Sequence, residues 1–323
     1  MNSALTIARM ELTDTLRGRF SRIVLTFLVL TMISSIIVAS TSFGVKMDEF
    51  LAYSQALMAN GNQADVPAPQ LFPLQLMRGS LEYLEVLGAL FAILIGYAAV
   101  AKEKQRGTLN LVFSRPIGRF ALWGGKTLAL AIFWIGFALI TYLLTLSVVV
   151  IVGHAQLAGI DLVRVVLVVA ATWVYLMFWT SLSMAITALS RNHNSALVIA
   201  IALWLLVVLI VPQIGDTMDP DNQVPGGLFN SLQIAKADEN AVLDNFAAYN
   251  NARDSLEVSS VTKHFERFVF GFFGIKDKYN QQPISMVWTD LSLNAYVLFA
   301  FALASQVLSF ISIQSKTLLR TSK

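Results

Sequence analysis

The chain contains no cysteine, little charge and three histidines. Without cysteine, neither a disulfide nor a thiol nucleophile can contribute to its stability or chemistry. Charged residues make up 13% of the 323 residues, whereas a soluble domain typically has about 25%, and hydrophobic residues make up 56%. This composition excludes an ordinary soluble protein and predicts a polytopic membrane protein.

The positions of the few titratable residues also exclude several chemistries. The histidines, His154, His193 and His264, fall in three different predicted loops, so they cannot form one metal site within a chain. No ionisable residue lies in the middle of a predicted membrane span. Ion-coupled carriers and intramembrane enzymes normally need such residues, so both classes lose support.

Six apolar runs are long enough to cross a bilayer, which needs about 20 residues per helix. The predicted transmembrane helices are 23–43, 81–101, 127–152, 165–190, 194–214 and 291–313. We therefore expect an all-α fold in which residues 1–323 form a single transmembrane domain, with both termini on one side.

Charge predicts which side that is. The segments on the side of the termini contain most of the lysine and arginine residues, but of the acidic residues only Glu11, Asp14 and Glu103. The positive-inside rule then places both termini in the cytoplasm, in what we expect to be a bacterial inner membrane. The basic pI of 9.1 follows from this asymmetry and does not indicate a nucleic-acid partner.

Residues 3–20 precede the first span and predict a helix lying on the inner membrane surface. The expected apolar stripe consists of Leu5, Ala8, Leu12 and Leu16. Glu11 and Arg17 fall off the centre of this stripe. A simple anchor and a mechanical role both remain open for this helix.

Two larger segments are predicted on the outer side. Residues 44–80 contain Gly, Asn and Pro and predict an irregular loop, and residues 215–290 predict a larger helical segment between the fifth and sixth spans. Within the latter, one apolar face recurs at helical spacing through Val261, Phe265, Phe268 and Phe272. Such a helix fits a lid on the outer surface or a small packed subdomain, and the segment is a candidate docking surface for an extracytoplasmic partner.

Mild polar and small residues inside the spans are candidates for helix packing or for a transport pathway. Small residues spaced by four in the second span favour close helix packing, either within the chain or between two copies, namely Gly88, Ala92 and Gly96. The candidates for lining a pathway are Tyr175, Thr180, Ser183 and Asn294. The alternative for these four is hydrogen bonding between helices.

The stretch 113–127, which overlaps the predicted inner loop 102–126, ends in Gly125-Lys126-Thr127, the last letters of a phosphate-binding P-loop. The P-loop pattern needs a glycine at position 120, which is Phe120, and an apolar membrane helix follows Lys126. We therefore expect Lys126 to anchor a membrane helix at the lipid headgroups and not to bind a nucleotide. "TLNLVF" (residues 108–113) is predicted to form a short surface helix that Pro116 ends.

At these residues the sequence resembles the permeases of type-2 ABC exporters, and most closely the permeases of nitrous-oxide-reductase maturation transporters. The resemblance covers residues 1–130 and the six-span layout, and is weak over 215–290. The loop residues that match the family pattern or border it are Glu103, Arg106, Gly107, Thr108, Leu109, Leu111, Phe113, Arg115, Pro116, Arg119, Gly125 and Lys126. The matching residues before the first span are Ala8, Arg9, Glu11, Asp14, Leu16, Arg17 and Arg19.

The resemblance implies that two permease chains, identical or related, pair with two ATPase subunits. It also implies that the loop's short helix is a coupling helix that docks on the ATPase. The ATPase would bind ATP and magnesium, so we expect no cofactor, metal site or catalytic residue in this chain, whose other contacts are with membrane lipid. The alternatives are a membrane scaffold that transmits force to an extracytoplasmic partner, an ATP-independent carrier, or an integral-membrane enzyme.

The charge asymmetry can be tested because the chain has no native cysteine. Single cysteines introduced at Ser231 and Ser255 should react with a membrane-impermeant thiol reagent in intact cells, because both lie in the segment predicted outside. A cysteine introduced at Ser322 should react only after the cells are opened. Labelling of the Ser322 variant alone in intact cells would reverse the orientation.

Overall fold

A computed structural model describes residues 3–59, 72–105, 118–218, 227–235 and 238–313. Every regular element in these ranges is helical, which confirms the all-α prediction. The N-terminal helices are α1 (Ser3–Arg17), α2 (Arg19–Ala59), α3 (Arg78–Tyr83), α4 (Ala89–Gln105) and α5 (Arg119–Ile151). The others are α6 (Gly159–Leu189), α7 (His193–Trp204), α8 (Val211–Thr217), α9 (Leu228–Ser231), α10 (Glu239–Asp244), α11 (Ala247–Val258), α12 (Val261–Phe272) and α13 (Ile284–Ser312).

Within these ranges, six helical stretches are long and apolar enough to cross a membrane. They are Arg19–Met58, Pro73–Lys102, Phe120–Ile151, Gly159–Leu189, Asn194–Gly215 and Ile284–Ser312. We number them as the first to sixth spans. The second joins a 3-10 turn (Pro73–Met77), α3, a π-helical turn (Leu84–Gly88) and α4, and the fifth joins α7, a π-helical turn (Leu205–Ile210) and α8.

The helices extend beyond the predicted spans, because hydropathy marks the part of a helix that suits a bilayer and not the whole helix. The clearest difference is α2, which continues from the predicted end at residue 43 to Ala59. The predicted irregular loop 44–80 therefore begins as helix, although Lys46, Asp48 and Glu49 interrupt its apolar run. Charged residues are unfavourable in a bilayer core, but none of these three breaks a helix.

The second and fourth spans form the centre of the bundle, and the first and fifth are the least buried. The backbones of the central pair meet at Gly96, where an added Cβ would lie 2.4 Å from the Thr180 carbonyl oxygen. Ala92 is fully buried, and a Cβ at Gly88 would make ordinary contact with Leu176. The small-residue stripe therefore packs within the chain, against the fourth span.

Each π-helical turn has a backbone carbonyl that accepts a hydrogen bond from a neighbouring segment. In the second span, Tyr175 Oη donates to the Glu85 carbonyl (2.9 Å) and Trp204 Nε1 donates to the Val86 carbonyl (3.2 Å). In the fifth span, Ser260 Oγ donates to the Val207 carbonyl (3.0 Å). A backbone irregularity inside a membrane requires such partners, because lipid offers none.

The helix α12 is packed into the end of the bundle opposite α1. We call this end of the bundle the far end. The predicted apolar face of α12 is buried, with Phe265 and Phe272 both fully inaccessible. Phe265 stacks on Tyr175 of the fourth span at 4.3 Å between ring centroids, and His264 Nδ1 lies 2.9 Å from Asn294 Oδ1 of the sixth span. The helix is therefore part of the bundle core, and neither a surface lid nor a separate subdomain.

Substitution of Gly96 tests the seam between the second and fourth spans. Gly96→Ala should destabilise the protein by about 1–3 kcal/mol, because its Cβ meets backbone atoms that cannot rotate away. The matched control is Gly136→Ala in α5, where the new Cβ meets no atom within 4 Å and helix propensity favours alanine. Thermal unfolding of the purified chain in detergent should give a lower Tm for Gly96→Ala alone. Equal Tm values for the two variants would refute the close approach.

Candidate functional site

The helix α1 lies across the start of the third span, at Gly125. A Cβ at Gly125 would lie 2.8 Å from the Ala4 carbonyl oxygen and 2.8 Å from Ile7 Cβ, so only glycine permits this contact. The buried residues of α1 are Ala8 and Glu11. Of the predicted stripe, Leu5 and Leu16 are 58% and 54% exposed, so the face of α1 that packs on the bundle is centred on Ala8 and on Glu11, which is 1% exposed.

Glu11 joins the two helices that border residues 106–117. Its Oε1 lies 2.7 Å from Lys102 Nζ, in the last turns of α4, and its Oε2 lies 3.1 Å from Lys126 Nζ, near the start of α5. Lys126 Nζ also donates to the Ala99 carbonyl oxygen at 2.7 Å. Both Glu11 and Lys126 are 1% exposed. The expectation that Lys126 anchors its helix at the headgroups is therefore wrong, because this lysine is buried in an ion pair.

A third lysine attaches α4 to the fourth span. Lys104 Nζ donates to the carbonyl oxygens of Thr187, Ala188 and Ser190 at 2.8, 3.0 and 3.0 Å. These carbonyls end α6 and have no partner within the helix, so a cation is favourable there. Burial lowers the pKa of Lys104 to about 8, so the ammonium form that donates all three bonds predominates below that pH.

These contacts surround the predicted coupling segment. Glu103 lies in the last turn of α4, and Arg119 is the first residue of α5. The other predicted coupling residues lie outside the described residues: Arg106, Gly107, Thr108, Leu109, Leu111, Phe113, Arg115 and Pro116. The described residues show instead which contacts fix the two helices that border this segment. Glu11 connects α1 to α4 and α5, and Lys104 connects α4 to α6.

Three of the four candidate pathway residues are buried and hydrogen-bonded within the bundle. Tyr175 bonds as described above, Thr180 Oγ1 accepts from Trp134 Nε1 at 2.8 Å, and Ser183 Oγ donates to the Ile93 carbonyl at 2.7 Å. Asn294 is partly exposed and contacts His264. Within the part of the chain that the structure describes, Tyr175, Thr180 and Ser183 connect helices and are at most 1% exposed.

The sequence does not indicate the contacts of Glu11, Lys102 and Lys104, and the prediction for Lys126 is wrong. A signal for Glu11 was present. Ala4, Ala8 and Glu11 share one helical face, and two alanines beside a carboxylate indicate a helix that approaches a neighbour closely. The lysine partners gave no such signal, because they lie 91 and 115 residues away along the chain.

The fold and these contacts define an integral membrane protein with six spans and an N-terminal helix that contacts the second and third of them. A family model described as ABC-2 family transporter protein matches residues 5–312, so the chain belongs to this family. It is therefore the membrane subunit of an ABC transporter, and members of its family generally work with an ATPase subunit. A search of curated proteins found no match.

The carboxylate of Glu11 should be necessary for stability. Glu11→Gln keeps the side-chain volume but leaves two lysines without their shared counter-charge, one of them fully buried. We expect a loss of about 3 kcal/mol or more, the usual cost of removing one partner of a buried ion pair. Asp14→Asn is the matched control, because Asp14 lies 3.3 Å from the same Lys102 but its side chain is 52% exposed, and such pairs contribute about 0–1 kcal/mol.

The measurement is thermal unfolding of both variants, purified in the same detergent. A second test combines Glu11→Gln with Lys126→Met, which removes the buried ammonium group that has lost Glu11 and should restore part of the loss. If Glu11→Gln and Asp14→Asn lower the Tm equally, the buried ion pair does not stabilise this end of the bundle.

Proposed function

We propose that the chain couples ATP hydrolysis by a separate ATPase subunit to export, or to force transmission, across the membrane. The observation that supports this most directly is the bridge made by Glu11 between Lys102 and Lys126. It connects the helix entering residues 106–117 to the helix leaving them. A force on that segment would therefore act on α1, α4 and α5 together, because Glu11 joins these three helices.

In this proposal, residues 106–117 contact the ATPase. Leu109, Leu111 and Phe113 supply an apolar surface that fits a groove on the partner, and Arg106 and Arg115 orient it against acidic side chains or lipid phosphates. The ATPase binds ATP and magnesium, and this chain supplies no catalytic residue. Lys126 is unsuited to phosphate binding, because its ammonium already contacts Glu11 and the Ala99 carbonyl.

The remaining parts of the proposal concern assembly and location. Two permease chains and two ATPases form the complex, and the first and fifth spans, which are the least buried, offer surface for a second copy or for lipid. Both termini lie in the cytoplasm of a bacterial cell, with residues 106–117 on the same side and residues 215–290 outside. The subgroup that fits residues 1–130 is the permease of nitrous-oxide-reductase maturation transporters.

The proposal predicts unequal effects of two neighbouring substitutions. Phe113→Ala should weaken binding of the ATPase by about 2 kcal/mol, or roughly thirtyfold in Kd, because a buried aromatic anchor is lost. Arg115→Ala should cost less than about 1 kcal/mol, as expected for a charge at the rim of an interface. The measurement is the affinity of the purified ATPase for the full chain in nanodiscs, together with ATP hydrolysis by the reconstituted complex.

The matched control is Phe20→Ala, which removes an exposed aromatic ring at the same end of the bundle and should leave the Kd unchanged. Two results would contradict the proposal. One is unchanged affinity for Phe113→Ala. The other is specific binding of a fluorescent ATP analogue by the chain without its ATPase.

A further inference from the structure

A polar cavity of about 650 Å³ lies at the far end of the bundle, opposite the end where Glu11 contacts Lys102 and Lys126. It is enclosed by the start of the second span, the turn into the fourth span and the segment before the sixth. Its polar lining residues are His154, Gln156, Asp161, Arg164, Asn280, Gln281 and Gln282. Two of these residues carry a full charge, Asp161 and Arg164.

Arg164 is the unusual member of this lining. It is 6% exposed, and its guanidinium must stay charged. One terminal nitrogen, Nη2, donates to the Gln282 carbonyl, but Nε has no hydrogen-bond partner among the described residues. Among the residues that the structure describes, no carboxylate lies within ion-pair distance of Arg164. A buried guanidinium with one neutral acceptor leaves most of its desolvation cost uncompensated.

The surrounding backbone adds to the positive potential. The cavity is lined by Ala158, Ile160 and Asp161, which form the N-terminus of α6, a helix of 31 residues, so the positive end of its dipole faces this space. Asp161 opposes this potential in part, but one of its oxygens accepts a hydrogen bond from the Ala158 N–H at 2.9 Å and caps the helix. Arg164 lies about one helical turn after Asp161, and the two side chains make no ion pair.

We propose that this cavity binds a phosphoryl group, with Arg164 as the residue that contacts its oxygens. A phosphoryl oxygen in the cavity would supply the negative charge that the guanidinium lacks. The cavity is larger than one phosphate ion and lies where the spans end, so the group belongs to a phospholipid headgroup or to a soluble phosphate compound. The proposal does not rest on the proposed coupling to an ATPase.

The test measures thermal unfolding of the full chain in a maltoside detergent with chloride as the only other anion. The probes are inorganic phosphate and a short-chain phosphatidylglycerol, and the diacylglycerol of the same chain length serves as the lipid without phosphate. At least one phosphoryl probe should raise the Tm of the wild-type chain in a saturable way, and the diacylglycerol should not. A shift with both probes shows that the phosphoryl group suffices, and a shift with the lipid alone identifies a headgroup site.

Three variants locate the effect. Arg164→Gln should weaken binding by about tenfold or more, as expected when a charge-assisted hydrogen bond is lost. Arg78→Gln is the matched control, because Arg78 is also near the start of the second span but is exposed, pairs with Glu82 at 2.9 Å and does not line the cavity. Gln156→Glu adds a negative charge to an exposed lining residue, so it should weaken binding without disturbing the fold, even if Arg164→Gln fails to fold.

Two results would overturn the proposal. One is that neither phosphoryl probe shifts the Tm of the wild-type chain beyond the chloride and diacylglycerol controls. The other is a shift that persists unchanged in Gln156→Glu and in any folded Arg164→Gln protein, or that disappears equally in Arg78→Gln. Either result would leave the cavity without an anion site.

Discussion

The arrangement at the α1 end of the bundle depends on one buried carboxylate. Glu11 lies between the ammonium groups of Lys102 and Lys126, and Glu11 and Lys126 are almost inaccessible to solvent. Such charges are tolerated only while they remain together, because each alone would bear an uncompensated desolvation cost. The ion pairs therefore fix where α1 lies, and the contact at Gly125 lets the backbones come close enough for the pairs to form.

A second constraint acts inside the bundle, where every backbone polar group must find a protein partner. The π-helical turns in the second and fifth spans make their carbonyls available to side chains, and Tyr175, Trp204 and Ser260 donate to them. Tyr175 also stacks on Phe265, so the same residue satisfies the second span and holds α12 in place. The polar residues of the fourth span therefore contribute first to packing, and a transport pathway through them would require these bonds to break.

The sequence was sufficient to predict the all-α class and the six spans, because a run of apolar residues has one stable solution in a bilayer. It could not predict that α2 continues to Ala59, because hydropathy identifies helix that suits a bilayer and gives no information about helix outside it. Nor could it place Glu11, whose partners are distant in the chain, or show that α12 is also buried on its polar side, where Lys263 and His264 are 8% and 2% exposed. Both errors arise because a charged or polar side chain indicates solvent only when no partner lies opposite it.

The fourth span connects these separate features along its length. Its last carbonyls accept three hydrogen bonds from Lys104, which lies just before residues 106–117. Its second half meets the second span at Gly96, its middle holds Tyr175 against α12, and its first turns place Arg164 in the far cavity. Close-packed contacts of this kind transmit displacement because neither partner has room to yield. A shift of Lys104 driven from residues 106–117 would therefore move the fourth span as a unit, and with it both α12 and the cavity at the opposite end.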